Sequence, residues 1–232
     1  MSAAKIIFFG LVAAYCSGCA NTPPARFYTL SPLSGQGLKV AASPATNPIS
    51  VRIAPVELPD YLDRLQIVTR DGANGLRPAE FERWGGSLAD NITMVLVENL
   101  SVMLSSDLVF AYSGGHAEKP DYLLVVRVLR LDCLPGERVD LKVQWLITTG
   151  QEKQEVARRL AGFSEKVADA RYDTMVTAIN RTLEQLSREL SSEIGRRPRA
   201  SNSAAAVPPG NLQLNGSTPS DCLDNIKRNA SP

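Results

Sequence analysis

In the stretch "RVDLKVQWLIT", residues 138–148, polar and apolar residues alternate from Arg138 through Trp145. Val139, Leu141, Val143, Trp145 and Ile147 share one parity, and Arg138, Asp140, Lys142 and Gln144 share the other. Side chains on a strand point alternately to opposite faces, so this segment is a strand with one dry face and one wet face. Such a strand belongs to a sheet that is covered on one side, and the rest of the chain must supply the cover.

The neighbouring segments extend the sheet. "DYLLVVRVLRLDCL", residues 121–134, is almost wholly apolar and reads as a central strand covered on both faces for part of its length. "VARRLAGFSEKV", residues 156–167, is a further strand, and "FYTL" (27–30) and "LVFAY" (108–112) are short ones. In "ISVRIAPVEL" (49–58), Ile49, Val51 and Ile53 alternate until Pro55 breaks the pattern. "LQIVTR" (65–70) is followed by "LRPAEFER" (76–83), where Pro78, which has no N–H to give a ladder, predicts an edge. The intervening "DGANG", residues 71–75, is a turn in which Gly72 and Gly75 are expected to supply positive φ.

Two segments change period. Trp84, Leu88, Ile92, Val95, Leu96 and Met103 recur at mostly three- and four-residue steps, which predicts an amphipathic helix over 84–104 opened by the tryptophan. Tyr172, Met175, Val176, Ile179, Leu183, Leu186, Leu190 and Ile194 form one stripe, ended by Gly195 and Pro198. That stripe reads as a face packed on the sheet. The order of strands, helix, strands, helix predicts an α+β two-layer sandwich. Its two main helices lie on one face of a mostly antiparallel or mixed sheet.

The chain opens MSAAKIIFFGLVAAYCSGCAN. Lys5 precedes an apolar run from Ile6 to Ala14, about 14 Å long as a helix against about 30 Å of bilayer hydrocarbon. The run fits the core of a secretory signal peptide. Ser17 and Gly18 then precede Cys19, which resembles the lipobox of bacterial lipoproteins, with cleavage before Cys19 and an acyl-bearing thioether on its sulfur. Cys16 then leaves with the signal, and the C-x-x-C of residues 16–19 does not persist. A redox reading of that pair would need a βαβ context, and a zinc reading two more ligands. Ala20 follows where an aspartate would favour inner-membrane retention, so the expected location is the outer membrane, facing the periplasm. The expected organisation is a signal peptide over 1–18, a lipid-anchored linker over 19–25, a folded domain over 26–195 and a disordered basic tail over 196–232.

Within this scheme the "SGQGLKVAASPATNP" segment, residues 34–48, is a loop rich in Gly, Ser, Ala and Pro. The tail carries Arg196, Arg197, Arg199, Lys227 and Arg228 against Asp221 and Asp224. It either brushes anionic surfaces or simply solubilises the chain. The sequence has 25 basic and 24 acidic residues; removing Lys5 with the signal leaves 24 of each, which argues against a nucleic-acid partner. Cys133 and Cys222 are candidates for a disulfide in the oxidising periplasm; the alternative leaves Cys222 free in its tail.

Chemistry is sparse. The chain has no G-x-x-x-x-G-K-[ST] loop, no G-x-S-x-G elbow and no H-E-x-x-H. The lone His116 reads as a solvated loop residue, and Glu80 and Glu82 as exposed charges on a strand. No catalytic, metal-binding or cofactor-binding residue is expected, and an enzyme is the weak reading. What stands out is "VELPDYLDRLQIVTR", residues 56–70. A proline-led turn there presents Tyr61, Leu62, Asp63 and Arg64, with Trp84 further on. These five are candidate partner-docking residues. The alternative is that Tyr61, Leu62 and Trp84 close one end of the core.

The same residues carry a family likeness. A lipobox, "FYTL" soon after it, and Val56, Leu58, Pro59, Tyr61, Leu62, Asp63, Arg64, Gln66, Ile67, Val68 and Arg70, followed by Arg83 and Trp84, resemble the PqiC-type lipoproteins. These are auxiliary components of ABC transport systems that carry MCE (mammalian cell entry) proteins. The likeness spans roughly residues 19–195. It implies a domain similar to the N-terminal domain of TolB. It also implies a non-enzymatic role in moving phospholipid or other hydrophobic molecules between the inner and outer membranes. The implied partner is an MCE-domain protein, with a homo-oligomeric ring favoured by a ring-shaped partner. The competing reading is a stand-alone periplasmic binding module of another envelope complex.

Overall fold

A computed structural model describes residues 23–32, 48–112, 119–150 and 153–196. Cys19, most of the 34–48 loop, His116, Cys222 and the tail after Arg196 lie outside the described residues. The elements run β1 (Arg26–Tyr28), β2 (Val51–Ile53), β3 (Gln66–Asp71), β4 (Gly75–Trp84) and helix α1 (Leu88–Leu104). They continue with β5 (Val109–Ala111), β6 (Tyr122–Leu134), β7 (Arg138–Thr149), β8 (Glu155–Lys166) and helix α2 (Tyr172–Gly195).

The α+β class and the mixed pairing hold, but the strands divide into two sheets, not one. Five strands in the order β5-β2-β6-β7-β8 form the large sheet, and β1-β4-β3 form a small one. In the large sheet β2 runs parallel to β5 and β6, while β6, β7 and β8 are antiparallel. In the small sheet β1 is parallel to β4 and β3 antiparallel to it.

The wet-and-dry strand is β7: Val139, Leu141, Val143, Trp145 and Ile147 are at most 2% exposed. They meet the α2 stripe, whose Met175, Ile179, Leu183, Leu186, Leu190 and Ile194 are at most 1% exposed. Asn99 of α1 donates to Ser187 Oγ of α2 at 3.1 Å, a buried polar contact that sets the two helices in register. Strand β6 alternates like β7 until a register shift at Val128/Arg130; only Leu131, Asp132 and Cys133 are buried in succession. The two-sided cover expected of β6 is therefore confined to that end. There Arg70 of β3 donates through Nε to Asp132 Oδ1 at 2.6 Å.

Three local expectations change. Trp84 ends β4 and does not open the helix: its N–H donates to Leu65 C=O at 2.6 Å, and α1 begins at Leu88 behind the N-cap Ser87, whose Oγ accepts from Asp90 N–H. Gly72 has a φ of 69°, but Gly75 has no positive φ; a Cβ on Gly75 would stand 2.2 Å from the Asp71 carbonyl oxygen, so close approach is what requires glycine there. Pro78 lies in the central strand of the small sheet, yet β1 pairs only with residues 82–84, leaving that side of Pro78 without a strand. The edge rule survives locally.

Cys133 is 2% exposed and a free thiol among the described residues. Burial, with the Asp132 carboxylate beside it, pushes the thiol up to about 12. Because the thiolate is the reactive form, alkylation at pH 8 is expected to spare Cys133 in the folded chain and label it in urea, read by peptide mass spectrometry. A Cys133–Cys222 disulfide would instead leave Cys133 unlabelled in urea until reductant is added.

Candidate functional site

The proline-led turn folds as a tight corner. Leu62 N–H donates to Pro59 C=O at 2.9 Å and Asp63 N–H to Asp60 C=O at 3.2 Å. Side chains then separate by depth. Leu62 is 4% exposed and Trp84 3%, both inside the core, which removes them as surface contacts. Tyr61 is half-buried: its Oη accepts the Leu131 N–H at 3.2 Å, tying the turn to β6. Its phenol is held above the ordinary range, first by burial and then by the Asp132 charge, and the Leu131 N–H and Arg70 oppose this. Asp63 and Arg64 remain exposed, and Leu65 beside them is 52% exposed. Of the five predicted residues, two face solvent, one bridges to the large sheet, and two are buried.

Sequence reasoning passed over two features. One is the helix-free face of the large sheet. Cross-strand register places Phe110, Arg52 and Leu123 in one row, Val125, Leu146 and Arg158 in the next, and Arg127, Gln144 and Leu160 in a third. Phe110 is 46% exposed and Leu160 56%. Arg127 pairs with Glu57 at 2.6 Å and Arg158 with Glu155 at 2.7 Å. A shallow cavity of about 200 Å³ opens here between Val125, Arg127, Gln144, Leu146 and Arg158. The signal was the off-parity residues of the strands, where Phe110, Leu123, Val125, Leu146 and Leu160 stand among Arg52, Arg127 and Arg158. The other feature is Phe27, which is 65% exposed although it opens the short apolar strand "FYTL".

Neither surface offers a nucleophile beside a base. Among the described residues no group of three His, Cys, Asp or Glu side chains is placed to hold a metal ion. What the arrangement can do is present apolar side chains ringed by paired charges, the makeup of a docking surface.

A model of the family described as ABC-type transport auxiliary lipoprotein component matches residues 28–191. No curated protein matches the chain. Among solved structures, that of an uncharacterized protein is 20% identical, with 74% of this chain and 99% of that one covered at a TM-score of 0.59. A Xanthomonas campestris protein is 14% identical, with 72% of this chain and 93% of that one covered at a TM-score of 0.58. Both likenesses establish the fold.

Proposed function

Since this chain belongs to the ABC-type transport auxiliary lipoprotein component family, we propose that it is a non-enzymatic docking subunit of an MCE-type system. Anchored through Cys19 in the periplasmic leaflet of the outer membrane, it would receive an MCE-domain protein that carries phospholipid or other hydrophobic molecules between the membranes. The observation that carries this reading is the spacing of Cys19 from Arg26, where β1 begins. Seven residues reach at most about 25 Å when extended, so the domain stays beside the leaflet that holds its acyl chains. Several acyl chains together make a firm anchor, at about 0.8 kcal/mol per buried CH₂.

The exposed Asp63 and Arg64, braced by Tyr61, Leu62 and Trp84, are the proposed contact with the partner, together with the helix-free sheet face. Strand β8, the outer strand of the large sheet, offers an edge for building a ring of copies.

The test is fractionation combined with capture. The natural chain is expected to incorporate labelled palmitate, to sediment with outer membranes, and to bring down an MCE-domain protein after cross-linking. Cys19→Ser is expected to lose the label and move to the soluble periplasm. Retention of Cys19→Ser in the outer membrane defeats the anchor. Recovery of another envelope complex with no MCE protein defeats the transport role and favours the stand-alone binding module.

A further inference from the structure

The small sheet carries Phe27 in an unusual setting. Its two neighbours are clipped to the start of α2 and to β4. Arg26 Nη2 donates to Asp173 Oδ1 at 3.2 Å, and Tyr28 Oη donates to Glu82 Oε2 at 2.5 Å. The Tyr28 and Tyr172 rings lie 6.3 Å apart. Because strand side chains alternate, fixing 26 and 28 on one face sends Phe27 to the other, where it is 65% exposed. Arg83 is its register partner on β4, and Arg83 Nε is buried with no hydrogen-bond partner among the described residues. Gln66 of β3 pairs with the same Arg83, so Phe27, Arg83 and Gln66 form one row across the end of the small sheet.

We propose that this strand end, led by Phe27, is the part of the domain that seats on the bilayer, entering the headgroup and acyl boundary of the phospholipid leaflet. The occupant follows from the tether. Pro23, the first described residue, is four residues from Cys19, at most about 14 Å of extended chain, and Phe27 is eight residues away, at most about 29 Å. No other exposed large apolar side chain of the described residues lies so few residues from the anchor. One exposed phenylalanine is far too little surface for a stable protein interface, which needs about 1,000 Å² or more. It suffices for a bilayer already held at high effective concentration by a covalent tether. An exposed aromatic ring also suits the boundary region, where its apolar face meets the acyl chains. Arg159 reaches Glu189 late in α2, roughly 24 Å of helix beyond Asp173, so that part of β8 lies far from the Arg26–Asp173 clip.

The inference rests on the Cys19 anchor proposed above, and the test separates the two. The full lipidated chain is reconstituted in phosphatidylethanolamine–phosphatidylglycerol vesicles, with or without bromine on the acyl chains. Phe27→Trp is compared with Leu160→Trp and with the parent, whose Trp84 and Trp145 are 3% and 1% exposed. Both new tryptophans occupy exposed positions, and unchanged circular dichroism verifies the fold. The emission added by Phe27→Trp is expected to shift to shorter wavelength and to be quenched by bromine; that added by Leu160→Trp is expected to do neither. A chain that floats with the vesicles while Phe27→Trp stays unquenched, or while both positions are quenched alike, overturns the seat and leaves the anchor standing. A chain that does not float at all overturns both. A blue shift at Phe27→Trp that appears only when envelope proteins are added assigns the corner to a protein and overturns the lipid seat.

Discussion

Trp145→Ala is expected to destabilise the domain by about 3–5 kcal/mol, since truncating a fully buried tryptophan loses both its transfer free energy and its packing. The indole is 1% exposed at the centre of β7, between β6 and β8. Its Nε1 donates to Glu189 of α2 at 3.0 Å, and the Arg159 guanidinium lies 5.8 Å from the ring centroid. The residue therefore fastens the large sheet to its covering helix by area and by a directed bond together. In urea the transition midpoint should fall by about 2 M at unchanged slope, taking a slope near 2 kcal/mol/M. Trp145→Phe keeps most of the area and should lose less than half as much. Equal losses for the two variants would show that the hydrogen bond to Glu189, and not the packed ring, dominates.

Asp132→Ala is the second large effect. The carboxylate, 8% exposed, accepts Arg70 Nε on one oxygen at 2.6 Å and Arg130 Nε on the other at 2.7 Å. Removing it leaves Arg70, 18% exposed, beside apolar neighbours without its counter-charge. Breaking a fully buried pair costs about 3–5 kcal/mol; the residual exposure of Arg70 reduces this to about 2–3. The double variant Asp132→Leu with Arg70→Met removes both charges and should recover most of that loss, because a packed apolar pair often matches a buried ionic one. A double-mutant cycle by chemical denaturation reads the coupling. Additive losses would mean that the two groups do not depend on one another. The pair joins β3 to β6, so the single variant should also loosen the Tyr61 turn that displays Asp63 and Arg64.

Strand β7 and the α2 stripe were legible by period alone, because one face of each is buried and the other is wet. Partition into two sheets was not, since alternation says that a strand has two faces but not which strand lies beside it. Trp84 was drawn into the helix because 84, 88 and 92 imitate a helical step; Gly85 and Gly86 break the chain first, and Ser87 supplies the cap. The turn at Pro59–Leu65 was legible as a feature, while the depth of Leu62 was not: a four-residue turn has no period from which burial could be read. Phe27 escaped for a related reason. Three residues are too few to reveal parity, and the clips that turn its neighbours inward come from Asp173 and Tyr172, more than a hundred positions away.

The way β1 is fastened has a mechanical consequence. A pull on the segment that precedes β1 arrives at Arg26, and β1 runs parallel to β4, so its ladder bonds are loaded together in shear. Ser31 N–H, donating to Asn180 Oδ1 at 3.1 Å, adds a rivet two turns along the long helix. Tension is thereby shared with a rigid rod of 24 residues, roughly 36 Å long, that lies against β7 and β8. A load applied at β1 is thus passed into the packed helix and the strands beneath it.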